Sequence, residues 1–383
     1  MKKAYLISCT NHYKDRICVV DEALKELGYE TVYITSDFDH TKKETFECDI
    51  EGCVQIHART YKKNLSLHRI LSHFFLTRDI FSFIEKSGTD PDLIYCEIPP
   101  NFLAYFGAKY KKKHRKVKMI FDIFDLWPET FPSGKVKKIL APIFSVWGFI
   151  RNHALPWADF VICECEMFKN KLGLCENSRA IYLCQNSIED RLLNPELPKD
   201  KINLCYLGSI NNIISISNIE VIIKEISKKK PVTLHIIGAG EKQDELIAAT
   251  KNAGAEVVFH GPVFDNDKKQ EIMSCCHFGL NIMKESVCVG LTMKSVDYFC
   301  HGLPIINNIP ADTKRLVLQN EIGVNFDDEN FLAKVLCGNE KYLEMRENVK
   351  KTFDGVFEKK IIFKEFKEII ENITQIDKGV IQQ

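Results

Sequence analysis

Lys294 and Asp297 stand three residues apart at the predicted start of a helix, directly after a loop that contains Gly290, Leu291 and Thr292. Free backbone amides at a helix start favour an anion, and the lysine adds a full positive charge. The aspartate falls on the same helix face and can accept two hydrogen bonds from a diol such as a ribose. The segment is interpreted either as a site for a phosphate and a ribose or as an ordinary surface Lys–Asp pair.

Two glycine turns precede this helix in the sequence, Gly208-Ser209 and Gly238-Ala239-Gly240, and each follows a predicted strand. A strand that ends in glycine lets backbone amides approach a phosphate at the start of the next helix. Neither turn has the three spaced glycines of a dinucleotide site, because position 243 is occupied by Gln243. The two turns are interpreted either as phosphate contacts or as plain turns.

Asp125, Trp127 and Glu129 follow an apolar strand predicted at Val117–Asp122. Carboxylates accept hydrogen bonds from sugar hydroxyls and an aromatic face covers sugar C–H groups, so the loop suits a saccharide. On this interpretation Asp125 and Glu129 are candidate catalytic carboxylates, and Trp127 is a candidate acceptor contact. The alternative is a structural Trp-Pro turn capped by Glu129.

Asn11 and Arg16 follow the first predicted strand, Ala4–Ser8, and are further candidate acceptor contacts. Arg16 falls at the start of a predicted helix. It is predicted either to bind an anionic acceptor phosphate or to be a solvated helix residue.

Strand and helix patterns alternate along the chain, as in a doubly wound parallel sheet. One series covers residues 1–195 and a second covers residues 201–360, with a charged, proline-containing linker near Asn194–Lys201. The predicted fold class is α/β, with two Rossmann-like doubly wound domains that face a central cleft. Ligands of such sheets bind beyond the carboxyl ends of the strands. The predicted elements include strands at Val54–Ile56, Phe160–Cys163, Ile202–Leu207 and Val232–Ile237 and a helix at Leu67–Lys86.

The composition restricts the class of protein. The 383 residues include 52 Lys and Arg and 52 Asp and Glu, so the formal net charge is zero, which argues against a nucleic-acid binder. The 15 cysteines lack the paired spacing of a metal site, so we predict no metal and interpret them as reduced thiols in a reducing compartment. The longest apolar stretch, Ile139–Ile150, is too short to span a bilayer, so a cytoplasmic location is predicted.

Two predicted helical segments, Tyr61–Phe83 and Lys135–Arg151, mix basic with aromatic residues. Basic and aromatic residues on one helix suit an anionic bilayer surface, so peripheral contact with the inner face of a membrane is one interpretation. The other interpretation is that the apolar side chains pack against the sheet.

The segment from Gly290 to Pro304 resembles the donor-binding signature of family 4-like glycosyltransferases with the GT-B fold, in the branch that serves bacterial capsule and exopolysaccharide synthesis. The matching positions are Gly290, Lys294, Asp297-Tyr298 and Gly302-Leu303-Pro304. The loop that ends in Asp125-Leu126-Trp127-Pro128-Glu129 is similar to the Asp-x-x-Asp-x-Trp-Pro-Glu loop of the same branch. The resemblance covers residues 3–375.

The resemblance implies that a hexose is transferred from a nucleoside diphosphate sugar, with UDP favoured, to a saccharide or lipid-linked acceptor in surface polysaccharide synthesis. It also implies retention of anomeric configuration without a cofactor or metal, because helix amides and basic side chains bear the charge of the leaving diphosphate. Lys294 and the Gly208-Ser209 turn would bind the diphosphate and Asp297 the ribose. The loop from Asp125 to Glu129 would face the acceptor.

In relatives with this fold the last helix packs back on the first domain, so the same is expected of residues 361–375. The alternative function is that of a catalytically silent GT-B homologue that binds another transferase.

Overall fold

The computed structural model describes residues 2–10, 14–64, 66–88, 90–131, 139–188 and 196–380. The chain divides into two compact units. The first unit comprises Met1–Tyr182 and Ile362–Gln383, and the second comprises Leu183–Ile361. Each unit has its own hydrophobic core.

A seven-stranded parallel sheet forms the centre of the first unit. Its strands are β1 (Lys2–Ile7), β2 (Tyr29–Ser36), β5 (Val54–Ile56), β6 (Leu93–Ile98), β7 (Lys118–Ile123), β8 (Phe160–Cys163) and β9 (Ser178–Ala180). Two further strands, β3 (Phe38–Asp39) and β4 (Glu44–Thr45), form a separate antiparallel pair. The order in the sheet is β5-β2-β1-β6-β7-β8-β9. Strand β6 is buried along its whole length, because helices cover both faces of a parallel sheet.

Five helices in the described part of this unit connect its strands: α1 (Lys14–Glu26), α2 (Leu67–Lys86), α3 (Asn101–Lys113), α4 (Ala141–Ala154) and α5 (Glu166–Lys171). A single 3₁₀ turn, Leu155–Trp157, follows α4. Helix α2 begins after Ser66, whose hydroxyl accepts a hydrogen bond from the Arg69 N–H at 3.2 Å. This N-cap satisfies one of the free amides of the first turn.

The second unit contains a six-stranded parallel sheet in the order β12-β11-β10-β13-β14-β15. Its strands are β10 (Ile202–Leu207), β11 (Val232–Ile237), β12 (Ala255–Gly261), β13 (Phe278–Asn281), β14 (Ile305–Asn307) and β15 (Gly323–Asn325). Its helices are α6 (Ile216–Ser227), α7 (Gln243–Asn252), α8 (Asn266–Ser274), α9 (Met293–Cys300), α10 (Asp312–Asn320), α11 (Phe331–Val335) and α12 (Asn339–Thr352). A π-helical turn, Phe353–Phe357, follows α12.

The last helix, α13 (Lys359–Val380), packs on the first unit. The ring of Phe366 lies 6.3 Å from the ring of Tyr95, and the Arg16 guanidinium lies 5.2 Å from the centre of the Phe366 ring. The buried residues of α13 recur at helical spacing: Ile362, Phe366, Ile369, Ile370 and Ile373. This spacing gives the helix a continuous apolar face.

Both sheets reverse their strand order beside the first strand of the unit. The reversal lies between β1 and β6 in the first unit and between β10 and β13 in the second. In open α/β sheets, ligands bind at the carboxyl ends of the two strands that flank such a reversal. The predicted α/β class with two Rossmann-like doubly wound units is confirmed, and each unit has one topologically defined candidate site.

The division between the units falls before the predicted linker. Gln185 forms a β-bridge with Glu358, and its N–H donates to the carbonyl of Phe357 at 3.1 Å. The chain therefore joins the second unit soon after Tyr182. Residues 189–195, which include part of the predicted linker, lie outside the described residues.

None of the helices in the described ranges is both long and apolar enough to cross a bilayer.

Candidate functional site

The strand reversal of the second unit brings the Gly208-Ser209 turn and the Lys294 side chain together. The Lys294 ammonium lies 4.8 Å from the centre of the Tyr206 ring. The hydroxyl of Tyr206 donates to the carbonyl of Ser209 at 2.9 Å. One buried tyrosine thus connects the end of β10 with the first turn of α9.

Lys294 has no ion-pair partner among the residues that the structure describes, and burial alone lowers its pKa to about 8. A half-buried cation without a carboxylate is electrostatically costly unless an anion arrives. Gly208 beside it has a φ of +113° and leaves open space around its Cα. The arrangement can therefore accept a phosphate against both the ammonium and the backbone of the turn.

The start of α9 is fixed by a row of buried amides, which we call the asparagine ladder: Asn281, Asn307 and Asn325. Asn281 Nδ2 donates to Asn307 Oδ1 at 2.9 Å, and Asn307 Nδ2 donates to Asn325 Oδ1 at 2.8 Å. The hydroxyl of Thr292 donates to Asn281 Oδ1 at 2.8 Å and accepts from the Ser295 N–H at 3.2 Å. Thr292 is thus the N-cap of α9, and the ladder determines where that helix begins.

The loop before α9 is held by α10. Thr313 donates to the carbonyl of Gly290 with both its N–H, at 2.9 Å, and its hydroxyl, at 2.7 Å. Leu291 is buried in the core beside this contact. Gly290, Leu291 and Thr292 therefore shape the loop through packing and backbone contacts.

Asp297 has a partner that the sequence analysis did not identify. Its two carboxylate oxygens lie 3.0 and 3.1 Å from the ammonium of Lys269 on α8. The Asp297 side chain is 17% exposed, so one side of the carboxylate still faces solvent. The predicted surface pairing with Lys294 is not formed, because Lys294 turns towards Tyr206 instead.

The second glycine turn is explained by close backbone packing. A Cβ on Gly238 would lie 2.0 Å from the Gly208 carbonyl oxygen, and one on Gly240 would lie 2.3 Å from the Ile210 carbonyl oxygen. The two turns are also joined by a hydrogen bond from the Ile210 N–H to the Ala239 carbonyl at 2.9 Å. Gly238 and Gly240 therefore allow the second turn to pack closely against the backbone of the Gly208-Ser209 turn.

In the first unit, Asp125 and Trp127 line a cavity of about 320 Å³ at the carboxyl ends of β1 and β6. Asp125 Oδ1 accepts a hydrogen bond from the hydroxyl of Thr130 at 2.7 Å. The carboxylate also bonds to the Leu126 N–H and the Trp127 side chain, while burial raises the pKa of Asp125. Asp125 thus stabilises the conformation of its own loop, and this loop forms part of the cavity wall.

Glu129 forms an ion pair with Arg151 of α4, whose side chain is fully buried. The two Glu129 oxygens lie 2.6 and 3.1 Å from the guanidinium nitrogens, and Arg151 also donates to the Trp127 carbonyl at 2.6 Å. Asn101 donates to the same carbonyl at 3.0 Å. Glu129 therefore fastens the Trp-Pro turn to α4, as the structural alternative expected.

Arg16 is neither solvated nor open to an acceptor phosphate, which corrects both predictions for this residue. It is 5% exposed, and its Nε and Nη2 donate to the two carboxylate oxygens of Asp122 at 2.6 and 3.0 Å. Its Nη1 donates to the carbonyls of Ile181 and Tyr182. The reason is that α1 packs directly over the sheet, where Asp122 of β7 points into the same face. Asn11 lies outside the described residues.

The two aromatic, basic segments contain both buried and exposed apolar side chains. Phe81, Phe144 and Trp147 pack into the first unit, as the packing alternative predicted. Elsewhere on α4, Ile143, Val146 and Phe149 are 46%, 61% and 65% exposed; we call these three residues the apolar ridge. Residues 132–138, which include Lys135, lie outside the described residues.

Sequence reasoning missed Tyr206, Lys269, the asparagine ladder and Arg69. The sequence does contain a pattern that could have predicted the asparagine ladder, because three consecutive strands of the second unit each end in asparagine. Arg69 stands within the basic, aromatic segment Tyr61–Phe83, but nothing in its neighbours along the chain indicates that it lines a cavity.

Residues 201–337 match the family model described as glycosyl transferases group 1. Comparison with curated proteins gives no match. The whole chain is similar in structure to the lipopolysaccharide outer core galactosyltransferase WaaB, with 14% identity, a TM-score of 0.65, and coverage of 97% of this chain and 99% of that one.

Two further solved structures are similar. Anabaena Alr3699/HepE in complex with UDP has 14% identity, a TM-score of 0.64, and coverage of 97% of this chain and 100% of that one. WaaG, a glycosyltransferase involved in lipopolysaccharide biosynthesis, has 12% identity, a TM-score of 0.57, and coverage of 96% and 99%.

The whole chain has the fold of the GT-B glycosyltransferases, and the domain match assigns residues 201–337 to the group 1 glycosyl transferase model. More particularly, its second unit carries the group 1 glycosyl transferase domain, which begins at β10 and includes the Gly208-Ser209 turn, Lys294 and Asp297.

Proposed function

We propose that this protein transfers a hexose from a nucleoside diphosphate sugar, with UDP favoured, to a saccharide or lipid-linked acceptor in surface polysaccharide synthesis. The observation that carries the proposal is the half-buried Lys294 ammonium, which has no carboxylate partner in the described part of the chain and lies at the strand reversal of the second unit. The solved structures of HepE with UDP and with UDP-glucose support the choice of nucleotide.

In the proposed site, Lys294 binds the diphosphate together with the backbone of the Gly208-Ser209 turn. As the bond from the anomeric carbon to the diphosphate breaks, negative charge grows on the leaving oxygen, and the ammonium stabilises it. Asp297, oriented by Lys269, accepts hydrogen bonds from the ribose hydroxyls. The proposed reaction retains the anomeric configuration and needs neither a metal nor a cofactor.

Affinity for UDP is expected to fall as the pH rises from about 7 to about 9.5, because Lys294 loses its proton with a pKa of about 8 in the free protein. The protonated form binds the diphosphate, so affinity is constant below this pKa and then decreases by up to about tenfold per pH unit. Tyr206 beneath Lys294 stays protonated throughout, since burial raises its pKa. Calorimetric titration with UDP at several pH values measures this dependence.

The control is Lys294→Arg, whose guanidinium keeps its charge over the whole range. This variant is expected to bind UDP with an affinity independent of pH. A wild-type affinity that does not change up to about pH 9.5 would contradict the role of Lys294. Failure of the wild type to bind UDP, GDP or any other nucleotide would overturn the proposed function itself.

We also propose that the protein works in the cytoplasm and docks its first unit on the inner face of a membrane through the apolar ridge of α4. Leu67 and Leu71 at the start of α2 are 71% and 49% exposed, and the nearby Lys62 and Lys63 are exposed as well. Apolar and basic side chains together suit an anionic lipid surface.

Replacing Ile143, Val146 and Phe149 together by serine is expected to weaken binding to anionic vesicles by at least about tenfold, since each inserted side chain contributes on the order of 1.5–3 kcal/mol. Sedimentation with vesicles of phosphatidylcholine and phosphatidylglycerol measures the change. Val221→Ser on α6, where Val221 is 45% exposed, is the matched control and is expected to have no effect. Equal sedimentation of the triple variant and the wild type would exclude the ridge as the docking surface.

A further inference from the structure

The cavity at the strand reversal of the first unit has the size and position of a binding site. Cys9 and Thr10 line it from the end of β1, and Pro99 and Pro100 line it from the end of β6. Its volume of about 320 Å³ is at the lower end of the range for small-molecule sites. A cavity of this size fits one sugar unit better than a long saccharide.

Aromatic rings form part of its wall. Trp127, Tyr61 and Phe38 all line the cavity, and the rings of Phe38 and Tyr61 lie 5.1 Å apart. Aromatic faces cover the C–H groups of a sugar ring while its hydroxyls bond elsewhere. The wall is thus suited to a saccharide.

The cation in this wall is Arg69. Its guanidinium lies 5.4 Å from the Trp127 ring and 6.0 Å from the Tyr61 ring. Its Nη1 donates to the Asn64 carbonyl at 3.2 Å, and the guanidinium bonds to the Tyr61 hydroxyl. Its Nε is buried and has no hydrogen-bond partner in the described structure. A buried N–H of a charged group without a partner favours an incoming anion.

The surrounding charges add to this preference. His40 and His73 also line the cavity, and Lys43 lies 4.7 Å from the centre of the Tyr61 ring. Burial, together with the charges of Arg69, His40 and Lys43, lowers the pKa of His73 to about 3. Two cations, Arg69 and Lys43, therefore lie beside the ring of Tyr61 in this wall.

Two carboxylates beside this wall, Asp125 and Asp39, already accept hydrogen bonds from their own segments. Asp125 is the only acidic residue among the described residues that line it, and it bonds to its own loop. Asp39, near Lys43, accepts hydrogen bonds from the Thr41 and Lys42 N–H groups at 2.7 and 3.0 Å. None of the carboxylates in the described ranges forms an ion pair with Arg69, although the charge of Asp125 interacts with it.

We propose that this cavity binds an anionic sugar unit of the acceptor, in which a carboxylate or phosphate group pairs with Arg69 and the sugar ring rests against Trp127 and Tyr61. The proposal rests on the proposed function, because the cavity becomes an acceptor site only if the protein transfers a sugar. It narrows the acceptor to saccharides that carry negative charge.

The test is calorimetric titration of the full chain, saturated with UDP, with glucuronate, glucose 6-phosphate and glucose. UDP occupies the donor site, so the sugar phosphate reports on the first unit. At least one of the two anionic sugars is expected to bind about 10- to 100-fold more tightly than glucose. A preference for glucuronate indicates an acidic sugar, and a preference for the phosphate indicates a phosphorylated or lipid-phosphate-linked one.

Arg69→Gln is expected to remove this preference for charge, while Arg69→Lys retains part of it. The matched control is Arg78→Gln on the same helix, since Arg78 is 46% exposed and pairs with Asp79 outside the cavity. Both glutamine variants are expected to unfold in a single cooperative transition and to bind UDP as the wild type does, which separates the result from misfolding and from failure at the donor site. Equal binding of all three sugars, or an equal effect of the two glutamine variants, would overturn the proposal.

Discussion

Replacing Lys294 by methionine is expected to weaken UDP binding at neutral pH by about 10- to 100-fold, the loss typical of one hydrogen bond to a charged group. At that pH the ammonium is protonated, since its pKa is lowered only to about 8. Methionine keeps the length of the side chain above Tyr206 and removes the charge. Arg at the same position is expected to restore most of the affinity.

The control for this substitution is Lys242→Met. Lys242 directly precedes α7 at the same edge of the sheet, but its ammonium is already paired with Glu245. Its loss is expected to change UDP affinity by less than about twofold. Similar losses for both variants would mean that Lys294 contributes only to the general positive field.

The same titrations in EDTA and in Mg²⁺ test metal independence. In the proposed site Lys294 and the backbone amides stabilise the negative charge of the diphosphate. The affinities for UDP in EDTA and in Mg²⁺ are therefore expected to agree. If the protein binds UDP but does not form UDP from UDP-glucose with any anionic or neutral acceptor, it is instead the catalytically silent homologue.

Substituting Asp122 by asparagine is expected to destabilise the first unit by about 3–5 kcal/mol, because a buried guanidinium would lose its counter-charge. Arg16 and Asp122 are 5% and 0% exposed, and the hydroxyl of Tyr95 also donates to this carboxylate. Urea denaturation followed by tryptophan fluorescence measures the effect, since all three tryptophans of the chain, Trp127, Trp147 and Trp157, belong to this unit.

An exposed ion pair between the same helix, α1, and α13 provides the control. Glu26 and Lys367 lie 2.9 Å apart with side chains 56% and 34% exposed, so Glu26→Gln is expected to cost less than about 1 kcal/mol. Both variants should bind UDP normally if they remain folded. A loss for Asp122→Asn no greater than that for Glu26→Gln would show that the buried pair contributes little.

The sequence predicted the sheets well because their signal is local. β10 and β11 are apolar runs that end at glycine, and both have the predicted bounds, Ile202–Leu207 and Val232–Ile237. The N-cap of α9 is likewise local, since Thr292 and Ser295 are three residues apart. Such features depend on neighbours along the chain and require no knowledge of packing.

The side-chain partners could not be predicted in this way. Arg16 and Asp122 are 106 residues apart, and Lys269 and Asp297 are 28 apart. Each pairing depends on the order of the strands in the sheet. The alternation of strands and helices along the sequence does not determine that order. For the same reason Arg16 had the local pattern of a surface residue while its helix packs it against Asp122.

The asparagine ladder has a consequence for the construction of chimeric proteins. Thr292, the N-cap of α9, donates to Asn281, which in turn donates to Asn307, and Asn307 donates to Asn325. If the loop before α9 were exchanged with that of another protein of this fold, the helix cap would be separated from the amides that orient it, unless the ends of all three strands were exchanged as well. The smallest transferable segment that keeps the start of α9 in place therefore extends from β13 through β15.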